Sequence, residues 1–398
     1  MAGWYLISPI STAEDSHVRI SPTVPESIAS LRAAKPEVVE QTLAAYTALY
    51  ESPQVIEPGL LHGFARTVAR WQGNAQLADW HLAQGADARL LGDELPADAK
   101  LGALVEHVDL ITVSPALATH EDQHVLPVAG VTPDEIVLLS QLVAFESYLA
   151  RMLDGDALLA GTAPERVDAP ARATVAAGRS KDLSGRTIAG LAKPTEYTQE
   201  QLEWSPWVAA PDEAELTAEQ VDSFAAKATT NSVYFRLLSR VPAVLKARSA
   251  IDNAVFLGKG GLPRAERELA AAVASKVNDC IYCASVHSRK ATFQSKRHDD
   301  VQRVLDAGLA RDADWQPTSL DALSDGQDER WSAIIRFAAS LSTLRPSATP
   351  AQIDELRALG LDDAELFDLV GSTAFFAWAN RLMLSLGEPN WPAAAASS

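Results

Sequence analysis

Cysteine is nearly absent: of 398 residues only Cys280 and Cys283 carry a thiol. Two cysteines cannot form a disulfide framework, so stability must come from a buried core. Positive charge is scarce too, with 34 Lys and Arg against 52 Asp and Glu and a formal charge of −18. That balance repels phosphate backbones and anionic lipid, so neither nucleic acid nor a membrane is an expected partner. Long apolar runs are missing: the greasiest segment, 364–386, is broken by Asp368, Asn380 and Arg381, and no membrane-spanning helix is predicted. The N-terminal stretch lacks a basic region and meets Pro9 early, so no signal peptide is expected and the expected location is the cytoplasm. Strictly alternating β-branched runs are also lacking, which predicts an all-α protein.

What is present is a 47% hydrophobic chain, enough for a sizeable core and for two or three domains. Residues 1–25 carry Pro9, Pro22 and Pro25 and read as an extended arm. From Glu26 onward, Ile28, Leu31, Val38, Val39, Leu43, Tyr46, Leu49 and Tyr50 recur at three- and four-residue steps, a helical period. Internal similarity then emerges. Pro36 to Tyr50 matches Pro242 to Phe256 at an offset of 206, Pro58 to Ala69 matches Pro263 to Ala274 at 205, and Glu135 to Leu153 matches Glu365 to Met383 at 230. Three collinear blocks predict a duplicated helical unit: a degenerate N-terminal copy at 26–160, a connector at 161–215, a catalytic copy at 216–392 and a tail at 393–398. Trp204 and Trp207 beside Pro206 suggest that the connector's end packs on a surface. At the 205 offset, Cys280, Cys283, Glu268 and His287 fall on Ala75, Ala78, Gly63 and Leu82. His62 and His81 lie nearby but out of register, so the N-terminal copy is expected to be structural.

The chemistry concentrates at 263–291. Pro263 suits a helix start, the helix is expected to end near Val277, and Asn278 or Asp279 is expected to cap a second helix opening at Cys-Ile-Tyr-Cys. Unpaired N–H groups and the dipole at that start favour thiolate. Cys280, Cys283 and His287 share one face, so the imidazole can take and return a proton while one thiol resolves the other's oxidised form as a disulfide. Glu266 and Glu268 both remain candidates for orienting His287. A zinc site would need histidines such as His287 and His298 in place of further cysteines, and no metal is expected. His107, His120 and His124 read as surface histidines of an acidic loop. The Phe375–Trp378 stretch reads as core or subunit interface.

Glu268, eleven residues, Cys280-Ile-Tyr-Cys283, three residues and His287 together resemble the signature of the alkylhydroperoxidase D and carboxymuconolactone decarboxylase superfamily, and the whole chain resembles its two-copy peroxidase-related oxidoreductases. The resemblance implies an all-helical duplicated fold, a peroxidatic Cys283, a resolving Cys280 and a proton relay through Glu268 and His287. It also implies a peroxide or oxidised-sulfur substrate, an external dithiol reductant with no bound cofactor, and homo-oligomers. The best-studied branch has a histidine between the cysteines, where this chain has Ile281 and Tyr282. Asn380, in an Asn-Arg pair that resembles one near the family's last helix, and Tyr282 are candidate substrate-binding residues. The alternatives are a thiol–disulfide reductase of sulfur compounds and a non-enzymatic oligomeric scaffold.

Overall fold

The computed structural model describes residues 35–52, 54–173 and 178–392; the arm at 1–25 and the tail at 393–398 lie outside them. The described chain is all-α apart from one two-stranded antiparallel sheet. In its first half lie α1 (Pro36–Tyr46), α2 (Pro58–Gln72), α3 (Ala75–Ala83), α4 (Ala99–Val113), α5 (His120–Val128) and α6 (Pro133–Leu159). After β1 (Glu203–Pro206) come α7 (Ala218–Asp222), α8 (Val233–Leu238), α9 (Pro242–Leu257), α10 (Arg264–Val277), α11 (Ile281–Ser295), α12 (His298–Asp306), α13 (Glu329–Ser342), α14 (Pro350–Ala358), α15 (Asp363–Ser385) and β2 (Gly387–Asn390).

Local chemistry sets the helix starts, and it does so at matching places in the two halves. Capping boxes open α5 at Thr119 and α14 at Thr349, and open α6 at Thr132 and α15 at Asp362. Asp98 and Asp328 cap α4 and α13 through their side chains. Each pair is 230 residues apart. Upstream the spacing is 206: Glu57 and Pro263 precede α2 and α10, and Asn74 and Cys280 precede α3 and α11. The joints agree, since Asn74 N–H donates to Ala69 O at 2.9 Å as Cys280 N–H donates to Ser275 O at 2.8 Å. The 205 register is therefore corrected by one residue. Pro58 is the first residue of α2, whereas Pro263 is the cap of α10. Proline fits both positions because neither needs an N–H, so aligning the two prolines slips the frame.

The core is built on α6 and α15, which pack side by side. Tyr148 and Trp378 lie 5.6 Å apart between ring centroids, and Phe145 meets Trp378 edge-on at 5.2 Å. Gly155 allows the close approach, because a Cβ there would sit 2.3 Å from Val370 Cγ1. Two fully buried arginines cross the halves reciprocally. Arg381 donates to Thr112 O at 2.9 Å, and Arg151 donates to Ser342 O at 3.3 Å and Thr343 O at 2.6 Å. These acceptors end α4 and α13, the negative ends of the helix dipoles, where a cation is favoured.

Three expectations change. By length and composition α6 could cross a membrane, although the sequence suggested no such helix, but its apolar span is entirely buried inside the fold. The connector is not merely a packed crossing: β1 pairs with β2, Trp204 Nε1 donates to Met383 O at 3.0 Å, and Gly387 leaves room for the Trp204 ring. Its Glu-Trp-Ser-Pro sequence carries no alternation to announce a strand, and its proline is tolerated at the edge of so short a sheet. His107 is buried on α4, 4% exposed and 3.3 Å from Ser140 Oγ; His120 and His124 stack on α5, at 6.1 Å, rather than in a loop.

Candidate active site

The two cysteines sit at the joint between α10 and α11. The α10 helix ends in a Schellman-type closure: Asp279 N–H donates to Lys276 O and Cys280 N–H to Ser275 O, with Asp279 at φ 58° in the left-handed region. Asp279 therefore finishes the first helix, and Cys280 itself is the N-cap of the second, which corrects the expected Asn or Asp cap. Aspartate is held in this uncommon conformation from several sides. Lys181, the Tyr197 hydroxyl and Trp315 Nε1 all meet its carboxylate. Burial would raise its pKa, but Lys181 and Arg311 bring it below the ordinary value.

Cys280 is 1% and Cys283 5% exposed, both are free thiols, and they lie 3.3 Å apart. Disulfide formation would bring that separation to roughly 2.05 Å. Burial pushes the Cys280 thiol well up, and the adjacent Cys283 adds to the rise through its hydrogen bond and charge. Cys283, in the first turn of α11, is the slightly more exposed residue of the two.

One turn beyond Cys283, His287 accepts its orientation from α10: His287 Nδ1 lies 2.6 Å from Glu268 Oε2. Glu268 is fully buried, and its other oxygen takes Arg264 Nε at 3.2 Å. Burial would raise the Glu268 pKa, yet His287, Lys290 and Arg264 together leave it lowered. Burial lowers the His287 pKa, with Glu268 opposing. The pair is thus assigned as carboxylate and neutral imidazole, with Nδ1–H donated to Glu268 and Nε2 left to accept a proton. Phe376 meets the imidazole edge-on at 4.3 Å, with Phe256 at 5.6 Å, so the relay lies against apolar walls. Among the described residues, no hydrogen bond joins His287 to either thiol.

Of the two candidate glutamates, Glu268 faces His287, whereas Glu266 forms a two-point pair with Arg330 at 2.8 Å for each contact. Asn380 is fully buried, donating to Ser275 Oγ at 3.0 Å and accepting from Asn278 Nδ2 at 3.1 Å. It ties α15 to the helix joint beneath the thiols. Tyr282 is half-buried, and burial with the two neighbouring thiols raises its pKa. His298 is exposed beside Asp299, away from any donor set, and no group of three or more potential ligands occurs among the described residues.

Two neighbours escaped the sequence reading. Tyr234, on α8, buries its hydroxyl with no hydrogen-bond partner among the described residues, and burial together with the charges of Cys283 and Cys280 raises its pKa despite Arg248. Arg248, on α9, is 4% exposed with its guanidinium 5.0 Å from the Phe375 ring centre. The available signal was a lone arginine on the apolar face of the 242–257 helical period.

Residues 242–323 match the carboxymuconolactone decarboxylase family. The matched segment is carboxymuconolactone decarboxylase-like. It runs from α9 past α12 and contains Glu268, both cysteines and His287. Two solved structures are similar in part. One is the alkylhydroperoxidase AhpD core of an uncharacterized peroxidase-related protein from Ralstonia eutropha JMP134, 21% identical over 45% of this chain and 88% of its own, with a TM-score of 0.36. The other, an uncharacterized peroxidase-related protein from Silicibacter sp. TM1040, is 24% identical over 50% of this chain and 96% of its own, with a TM-score of 0.36. No curated protein matches.

Proposed function

We propose that the chain is a thiol-dependent, peroxidase-like oxidoreductase. The observation that carries this reading is a pair of free thiols 3.3 Å apart at a helix start, one turn from an imidazole bound at 2.6 Å to a buried carboxylate.

In the proposed cycle His287 Nε2 takes the Cys283 proton, directly or through water, and the imidazolium so formed is balanced by Glu268. The Cys283 sulfur attacks one oxygen of a hydroperoxide. The O–O bond breaks, the leaving alkoxide receives the proton from His287, and Cys283 becomes a sulfenic acid. Cys280 then attacks that sulfur, the S–O bond breaks, water leaves with the Cys280 proton, and the Cys280–Cys283 disulfide forms. An external dithiol supplies two electrons and two protons to restore the pair. The elevated Cys280 pKa suits the second role, in which it remains protonated until Cys283 has been oxidised. Asn380 holds the helix joint rather than a substrate, and Tyr282 contributes a wall.

The test is peroxide consumption by the full chain with a dithiol donor, with the cysteine state followed by mass spectrometry. Cys283→Ser is expected to abolish turnover, and Cys280→Ser to leave a sulfenic acid trappable by dimedone on Cys283. Unchanged turnover in Cys283→Ser would overturn the proposal.

A further inference from the structure

In the register of the two halves, the N-terminal counterparts of Glu268 and His287 are His62 and His81, each 206 residues earlier. They are in contact as their counterparts are: His62 Nδ1 and His81 Nδ1 lie 3.0 Å apart. The thiol positions have become structural. Asn74 stands at the place of Cys280 and caps α3 by accepting from Leu77 N–H at 2.9 Å, while its Nδ2 donates to Asp154. Leu77 stands at the place of Cys283 and is buried. Redox chemistry is therefore gone from this half.

A vestigial copy would be expected to fill the vacated site with apolar side chains, since burying polar groups costs free energy unless they are paired. The opposite has happened. Where the C-terminal site has Phe256 and Phe376 around its histidine, the N-terminal site has Tyr50 and Glu146, at offsets of 206 and 230. Glu146 is fully buried and accepts from the Tyr50 hydroxyl at 2.7 Å. Its other oxygen lies 3.2 Å from His81 Nε2, and neither of those two buried atoms has an aligned hydrogen bond. Tyr50 stacks on His62 with ring centroids 4.8 Å apart. One turn along α2 from His62, Arg66 keeps Nε and Nη1 buried with no hydrogen-bond partner among the described residues.

We propose that His62, His81, Glu146 and Tyr50 form a second, thiol-independent site that transfers protons to and from a small carboxylate bearing an acidic C–H, with Arg66 engaging the carboxylate. With Nδ1–H of His62 donated to His81, and Nε2–H of His81 facing Glu146, His62 Nε2 is the free base of the line. It accepts the proton as the substrate C–H bond breaks to give an enolate. Burial and the neighbouring His81 hold the His62 pKa down to about 4, so the proton leaves His62 readily and returns to carbon or oxygen. No oxidant or reductant is consumed. Arg66 presents the forked donor set that suits a carboxylate.

The experiment is proton–deuterium exchange at the carbon next to the carbonyl of 2-oxobutyrate and of oxaloacetate in D2O, followed by NMR, using the full chain. Exchange at least tenfold above the protein-free rate is expected in the wild type and unchanged in the double variant Cys280→Ser/Cys283→Ser. It is expected to fall to background in His62→Phe and about tenfold or more in Arg66→Gln. In the same full chain, adding 2-oxobutyrate should shift the ring resonances of 13C-labelled His62 but not those of His298, a readout that does not depend on a variant folding. Exchange at background with both compounds, exchange lost with the thiols, or exchange unaffected by His62→Phe would overturn the proposal. The thiol variant keeps this outcome separate from the fate of the peroxidase reading.

Discussion

Replacing Glu268 with glutamine changes one charge at the centre of the proposed relay and little else in shape. In the native site the carboxylate is fully buried and 2.6 Å from His287 Nδ1. A hydrogen bond to a charged group contributes about 1.5–3 kcal/mol. Glutamine can still accept from Nδ1–H, so the ring keeps its orientation, but the imidazolium formed on taking the Cys283 proton loses its counter-charge. Taking about 2 kcal/mol for that loss, disulfide formation should slow about 30-fold. His287→Phe removes the base itself and should slow it by about 100-fold or more. The double variant should be no slower than His287→Phe alone, because residues acting as one unit are not additive. The measurement mixes fully reduced protein with hydrogen peroxide, quenches with an alkylating reagent and follows by mass the fraction that has lost two thiols. Glu268→Gln within threefold of the wild-type rate, or a double variant whose effect is the product of the two single effects, would refute a coupled relay. Chemical denaturation of each variant separates chemistry from loss of fold.

Acid should destabilise the protein well above the ordinary carboxylate range. Burial lowers the His107 pKa from 6.5 to about 4, so the unfolded chain binds the proton first; this contribution is complete above 6.5 and is lost as pH falls toward 4. At pH 5 that amounts to about 2 kcal/mol, and His107→Gln should flatten the pH dependence of unfolding by about that much in urea titrations. The crossing arginines should differ. Arg151 holds Gln72 Oε1 and three carbonyls, so Arg151→Met should cost about 3 kcal/mol by stranding those acceptors. Both arginines leave Nε without a partner among the described residues, but Arg381 holds only two carbonyls, so Arg381→Met should cost about 1 kcal/mol because relief of the buried cation offsets more of the smaller loss; equal costs would contradict the hydrogen-bond accounting. Gly155→Ala should cost about 1–3 kcal/mol by overpacking against Val370, and Val370→Ala should restore part of it when the two are combined.

The legible parts of this protein were those written within one or two helices. The spacing of Glu268, Cys280, Cys283 and His287 is set by a helix, a left-handed joint and a second helix, all within twenty residues, and repeating periods show where those helices lie. Choosing between Glu266 and Glu268 from periodicity alone failed because what distinguishes them is Arg330, 64 residues further on. The grip on Asp279 was hidden for the same reason: Lys181, Tyr197 and Trp315 come from remote, irregular segments. Partners fixed by tertiary contact leave no periodic trace in either strand of sequence that supplies them.

The N-terminal half shows how a single residue of register can conceal chemistry. Matching Pro58 to Pro263 places His81 one position away from the counterpart of His287, and the half then looks stripped of reactive groups. Matching the helix joints, Gly73 at φ 74° to Asp279 at φ 58°, puts His62 and His81 on Glu268 and His287. Backbone joints are the safer frame because a left-handed residue between two helices has one place in the chain, whereas proline is admitted at either of two adjacent helix-start positions. In that frame the two halves differ by substitution at matched sites: two thiols traded for a cap and a leucine, and two phenylalanines for a tyrosine and a buried glutamate. Loss of the thiols alone fits decay of an unused site. The buried glutamate does not, because an uncompensated carboxylate in a core is destabilising, and the proposed second site accounts for its place 3.2 Å from His81 Nε2.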